Sequence, residues 1–194
     1  MTSQSPQAPF EASLKQALQT FQSLGSLEGK LEEAAEWCIE ALKQGRKVLA
    51  CGNGGSASEA QHFVGELMGR YKRNRPSLPA IALTADSTVL TCIGNDYRYE
   101  EVFSRQVKAL GRPGDVLVAF STSGNSPNVL KALEAARNSQ LKSIAFLGCE
   151  GGAASAFADC SLIVPHNDTA RIQEGHLFLM HVLMDYVESE QQHE

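Results

Sequence analysis

The sequence predicts an α/β fold, a doubly wound and mostly parallel five-stranded sheet flanked by helices, and three observations lead there. Five short apolar runs alternate with segments whose apolar residues recur at helical spacing. The runs are apolar throughout rather than at every second residue, as in strands covered on both faces. Two of them, ending at Cys51 and Phe120, pass directly into loops rich in glycine and serine, and each loop leads into a helix.

Taken in order, Leu14, Leu18, Phe21 and Leu24, then Leu31, Ala34, Ala35, Cys38, Ile39 and Leu42, predict two helices between Phe10 and Gly45, broken near 25–29. Residues 47–51 read as the first strand, and Ser56 or Ser58 caps a helix running through Met68. Residues 80–83 read as a strand, 87–93 as a short helix, 99–110 as a helix and 115–120 as a strand. Pro127 stands where a first-turn proline belongs, and 128–138 continues as helix. Residues 143–147 and 161–164 supply two further strands, and a long helix over 169–190 closes the chain. Such alternation requires right-handed crossovers, and it places ligands beyond the carboxyl ends of the strands, where both glycine- and serine-rich loops fall. Residues 1–194 are expected to form one domain, with 1–10 and 190–194 disordered.

The 194 residues are 43% apolar and 20% charged, enough to build a substantial core. A formal net charge of −5 argues against a general affinity for nucleic acid, which needs clustered Lys and Arg. The one basic stretch, Arg70-Tyr71-Lys72-Arg73-Asn74-Arg75, is expected to be a solvated helix end. Cys38, Cys51, Cys92, Cys149 and Cys160 are odd in number and lack C-x-x-C spacing, so they read as reduced core residues of a cytosolic protein. Met1 to Phe10 carries no apolar signal core, and no apolar run reaches the roughly 18 residues that a membrane span needs. The expected location is the cytoplasm.

Asn53-Gly54-Gly55-Ser56 and Ser121-Thr122-Ser123-Gly124-Asn125-Ser126 carry the first chemical signal. Gly54 and Gly55 let the backbone approach an anion, and the following helix offers free N–H groups at its positive end. One such loop is as well explained as a capped turn, but two after two strands favour a phosphate cradle. Neither has the lysine of a nucleotide P-loop, and Gly52-Asn53-Gly54-Gly55-Ser56 does not follow G-x-G-x-x-G. A serine cradle without lysine suits a single sugar phosphate.

From about Leu14 to Val187 the sequence resembles the sugar isomerase (SIS) domain family, and within it the phosphoheptose isomerases. The strings that carry the resemblance are Cys51 to Ser56, His62-Phe63, Glu66-Leu67, Gly69-Arg70-Tyr71, Arg75-Pro76, Gly94-Asn95-Asp96, Ser121 to Ser126 and Arg171-Ile172-Gln173-Glu174. The resemblance implies substrate contacts from Asn53, Gly54, Gly55, Ser56, Glu66, Arg70, Ser121, Thr122, Ser123 and Ser126, with Asn95, Asp96 and Gln173 lining the sugar. It also implies a zinc site from His62, Glu66, Gln173 and His181, catalytic roles for Glu66 and His181, and assembly as a homotetramer. Ala170 stands where some members of the family carry an aspartate that touches the sugar.

The spacing supports part of that set. His62 and Glu66 are at i and i+4, on one helical face and about 6 Å apart along the axis. Gln173 and His181 lie about 12 Å apart along a straight helix, too far for ligands bound at about 2.1 Å to one ion. Either the helix bends or the two residues come from different subunits, and the second is the expectation. A His, Glu and Gln set accepts zinc, nickel or manganese. His166 and His193 read as surface residues, and His176 as either exposed or packed.

The implied reaction converts sedoheptulose 7-phosphate into D-glycero-D-manno-heptose 7-phosphate through a cis-enediol, with Glu66 as base and His181 as acid. The product would feed heptose biosynthesis, for lipopolysaccharide, a capsule or a glycoprotein. Two non-catalytic alternatives stand beside it. One is a protein that binds the replication initiator DnaA, as relatives that look to lack the counterparts of Glu66 and His181 do, and the other is a sugar-phosphate sensor.

Overall fold

The computed structural model describes residues 8–190. Five strands, β1 (Val48–Gly52), β2 (Ala80–Ala82), β3 (Val116–Ser121), β4 (Lys142–Gly148) and β5 (Cys160–Val164), form one parallel sheet in the order β2-β1-β3-β4-β5. Their uniform apolarity has a direct cause, since every residue of β1 and β3 is buried. Val48, Ala50, Val118, Phe120, Ile144, Phe146 and Leu162 enter one core, whereas Leu49, Cys51, Leu117, Ala119, Ala145 and Leu147 enter the other. The register pairs Gly52 with Phe120, so the loops after β1 and β3 leave the sheet side by side.

Helices α1 (Pro9–Ser23) and α2 (Glu28–Lys43) are joined by a 3₁₀ turn at Leu24–Leu27, where the sequence predicted the break. They are followed in chain order by α3 (Gly55–Met68), α4 (Ser87–Asp96), α5 (Ser104–Leu110), α6 (Pro127–Asn138), α7 (Ala154–Phe157) and α8 (Thr169–Ser189). Helices α2, α3 and α8 cover one face through Leu31, Ala34 and Cys38, through Ala60, Phe63 and Leu67, and through Ile172, Met180 and Leu183. Helices α5, α6 and α7 cover the other face through Val107, Val129, Leu133 and Ala154.

Several expectations change. The helix over 99–110 divides into a 3₁₀ turn at Tyr99–Glu101 and α5, because the chain breaks to bury Val102 and Phe103 together. Helix α7 has only 4 residues, too few for periodicity to announce it. Pro9 and Phe10 open α1 instead of belonging to a disordered start, while 1–7 and 191–194, including His193, lie outside the described residues. The cysteines are unpaired, and burial pushes the Cys38 and Cys51 thiols up to about 12 and the Cys160 thiol up to about 11. Cys149 is half-buried and Cys92 is exposed, so the core expectation fails for Cys92, which sits on the open face of α4. Among the described residues, no helix is long and apolar enough to cross a membrane.

Candidate active site

The two expected phosphate loops meet. Asn53, following β1, donates from Nδ2 to Asn128 Oδ1 at 2.8 Å, and Asn128, in the first turn of α6, donates back to Asn53 Oδ1 at 2.8 Å. Tyr99 adds a third bond, its hydroxyl donating to Asn53 Oδ1 at 3.1 Å. The Asn53 carboxamide is therefore largely consumed in joining the loops, which leaves most anion contacts to the backbone and the serines. Within the second loop, Ser121 Oγ accepts the Gly124 N–H at 3.2 Å and donates to Ser126 Oγ at 3.4 Å. Thr122 is half-buried and Ser123 is exposed, both open to a ligand, whereas Ser56 is buried against Gly52. Gly124 has φ +63°, and a β-carbon there would collide with the Gly151 carbonyl, so only glycine closes this turn.

Helices α3 and α8 lie side by side and run in the same direction, with contacts in matching order along both. A β-carbon on Gly55 would strike the Gln173 carboxamide, one turn on Glu59 Oε2 lies 3.6 Å from His176 Nδ1, and farther on His62 meets His181 with ring centroids 5.2 Å apart. Within one chain this alignment sets His181, but not Gln173, beside His62 and Glu66. His62, Glu66 and His181 bring ligand atoms within 4.8 Å of one another, and His62 Nε2 already lies 2.8 Å from Glu66 Oε1. Gln173 stands instead against Gly55, about 10 Å back along the axis of α3 and away from the other three. Two imidazoles and a carboxylate form a donor set suited to a divalent transition metal with a coordination position left open.

Burial depresses the His181 imidazole below its ordinary value, and the neighbouring His62 adds to the shift while Glu66 opposes it. The ring is therefore largely neutral at neutral pH, with one nitrogen that accepts and one that donates. Glu66 is half-buried beside Phe63 and Leu67, whereas Met68 faces outward. His176 is fully buried, so of the two readings of it, packing holds; Nε2 donates to the Leu147 carbonyl at 2.9 Å.

Arg70 is exposed after α3. Arg70, Lys72, Arg73 and Asn74 of the basic stretch are exposed after the end of α3, as expected, but Arg75 is buried in an ion pair with Glu188 at 3.2 Å. Asn95 and Asp96 end α4 and are exposed; Asn95 donates to Asp96 Oδ1 at 2.8 Å, which with Cys92 holds the Asp96 carboxyl below the ordinary range. The same segment reaches the phosphate loop through Tyr99. Sequence reading missed Asn128, Tyr99, Glu188 and the stacking of Tyr71 on His181. For Asn128 the available signal was a polar residue one position after a first-turn proline, which by itself reads as solvent-facing.

Comparison with known proteins agrees with this geometry. The SIS domain family profile matches residues 10–148. A phosphoheptose isomerase of Trichlorobacter lovleyi is 51% identical over 176 residues, 90% of each chain, and that of Helicobacter hepaticus is 50% identical over 95% of this chain and 94% of its own. The structure of phosphoheptose isomerase GmhA from Neisseria gonorrhoeae superposes with a TM-score of 0.90 at 44% identity, covering 95% of this chain and 100% of that one. The chain belongs to the SIS domain family and, within it, to the phosphoheptose isomerases.

Proposed function

We infer that the protein interconverts sedoheptulose 7-phosphate and D-glycero-D-manno-heptose 7-phosphate, acting as one SIS domain. The observation that carries this reading is the meeting of Glu66 and His181 at one end of the α3–α8 pair while two joined serine and glycine loops stand at the other. A ketose phosphate has the same polarity, with its phosphate at one terminus and the reacting carbons at the other. Thr122, Ser123, Ser126 and the backbone at Gly54 and Gly55 hold the phosphate, together with the positive end of α3. Ser121 shapes that loop, and Gln173, Arg70, Asn95 and Asp96 contact the sugar.

Glu66 removes the proton from C1 of the open-chain ketose, giving a cis-enediol, and returns it to C2. The neutral His181 ring gives its N–H proton to O2 and takes the O1 proton back at the same nitrogen, so its other nitrogen stays free to ligate a metal. No proton is lost overall, so the aldose leaves the enzyme in its starting state. His62, Glu66 and His181 would hold zinc, which supplies Lewis acidity toward a carbonyl or hydroxyl oxygen when bound.

We further read the active form as a homotetramer in which Gln173 of another chain completes the metal set. Support comes from α1, where Phe10, Leu14 and Leu18 are exposed on one apolar stripe that continues through Phe21 to Phe178, 5.5 Å between rings and three residues before His181. The unpaired thiols suit a reducing compartment, in keeping with the cytoplasm. Initiator binding and sugar-phosphate sensing are not favoured, since neither needs Glu66 and His181 brought together.

The test is incubation with sedoheptulose 7-phosphate and chromatographic separation of the ketose and aldose phosphates. The wild type is expected to reach an equilibrium of the two, and Glu66→Gln to lose at least about a hundredfold in kcat. Absence of turnover from the intact oligomer with zinc supplied sinks the reading in favour of binding or sensing.

A further inference from the structure

Tyr71 takes no part in the reaction as derived, yet its ring lies flat on His181, with centroids 5.5 Å apart and planes 15° apart. His62 meets the same imidazole edge-on at 73°. The torsion that spins a histidine ring about its axis is intrinsically broad, so the direction of its nitrogens is set by what packs on its faces. Here the face is Tyr71.

Tyr71 is held there through its backbone. Glu188, buried in the last turn of α8, accepts the backbone N–H groups of Tyr71 at 2.8 Å, Lys72 at 2.9 Å and Arg73 at 3.0 Å, together with Arg75 Nε at 3.2 Å. Arg75, also buried, turns back to α3 and donates to the backbone carbonyls of Glu66 at 2.5 Å and Leu67 at 2.8 Å. One buried ion pair thus fixes the backbone of the residue bearing the base, the residue covering the acid, and the helix carrying that acid. Two buried charges are tolerated only where their hydrogen-bonding capacity is used, which is a demanding way to close a surface loop.

We propose that Tyr71, held by Glu188 and Arg75, is a positioning residue for proton transfer whose ring sets the plane of the His181 imidazole and keeps its nitrogen aimed at the oxygens on the carbons served by Glu66. The proposal rests on the isomerase reading and adds the device that aligns its acid with its base. It requires a flat aromatic face at position 71 and makes no use of the phenol hydroxyl.

The experiment compares kcat and KM of Tyr71→Ala, Tyr71→Leu and Tyr71→Phe on sedoheptulose 7-phosphate, with melting temperature and oligomeric state recorded for each. Tyr71→Ala and Tyr71→Leu are expected to lose on the order of tenfold to a hundredfold in kcat. KM stays within about twofold, because the phosphate grip lies two turns away, and Tyr71→Phe recovers most of the lost kcat. Tyr71→Leu keeps the bulk of the side chain and decides the matter if Tyr71→Ala fails to fold. A wild-type kcat in Tyr71→Leu overturns the proposal, as does a loss confined to KM or a Tyr71→Phe as impaired as Tyr71→Ala. A wild type that turns over no substrate overturns the isomerase reading instead, so the two failures are distinct.

Discussion

Asn53 and Asn128 exchange hydrogen bonds, carboxamide to carboxamide, across a sequence separation of 75 residues, and so fasten the loop after β1 to the first turn of α6. Asn128 is buried, and the exchange satisfies a polar group that would otherwise be costly to bury. The consequence is preorganisation: the two loops proposed to grip one phosphate are joined as a single body, and less ordering remains to be done when a ligand arrives.

Asn128→Ala breaks both bonds and leaves the Asn53 side chain held by Tyr99 alone. A neutral hydrogen bond contributes about 1 kcal/mol net, so the expected result is a rise in KM of roughly threefold to tenfold. The kcat remains close to wild type, since Glu66 and His181 are untouched. Steady-state kinetics on the ketose phosphate checks this, and a loss in kcat with unchanged KM contradicts it.

Gly124→Ala places a β-carbon against the Gly151 carbonyl at a backbone conformation of φ +63°. Gly45 has a similar φ of +69° but open space around it. Urea unfolding is expected to show a loss of about 1 kcal/mol for Gly45→Ala, from backbone strain alone, and clearly more than about 2 kcal/mol for Gly124→Ala. Equal losses at the two positions mean that the contact with Gly151 is without energetic weight.

Glu188 links stability to pH. Burial raises its carboxyl, but the N–H groups of Lys72, Tyr71 and Arg73 and the charge of Arg75 outweigh it and hold the group below its ordinary value. A carboxyl lowered in the folded state stabilises above the unfolded value of about 4.3, and the contribution fades as pH falls through the lower folded value. Glu188→Gln, which leaves Arg75 buried with its charge unmatched, is expected to be less stable by about 3 kcal/mol at neutral pH. The gap from wild type narrows below about pH 4, and unfolding curves at neutral and acidic pH measure it. A gap that persists undiminished in acid rules the linkage out.

Zinc affinity tests the proposed ligands. His62→Ala and His181→Ala are expected to weaken zinc binding on the order of a hundredfold or more, read by competition with a chromophoric chelator. Gln173→Ala weakens it only in the assembled oligomer, because within one chain Gln173 lies against Gly55. Dilution that dissociates the oligomer therefore erases the difference between Gln173→Ala and wild type. A deficit that survives dissociation shows that Gln173 reaches the metal within its own chain.

Much of this was legible before any coordinates. The five strands announced themselves because both faces of the sheet are covered, and the helices because their apolar residues keep a period near 3.6. Asn53 to Ser56 and Ser121 to Ser126 were identifiable as loops at the ends of strands, and His62 and Glu66 as neighbours on one helical face. Each of these patterns is local: neighbours within about one turn of helix, or one strand with its loop, are enough to specify it.

The rest depends on elements distant in the chain. That Glu188 holds Tyr71 from 117 residues away, and that Asn128 answers Asn53, follow from how helices seat on the sheet. Arg75 looked as solvated as the exposed run it ends because its counter-charge, Glu188, belongs to another helix. By itself the sequence determined the sheet, the loops and the pair His62 and Glu66. Only the tertiary structure decided that α3 and α8 run parallel, setting His181 beside that pair and Gln173 beside Gly55, because helix alignment comes from burying two apolar stripes over one sheet and no single stripe contains it.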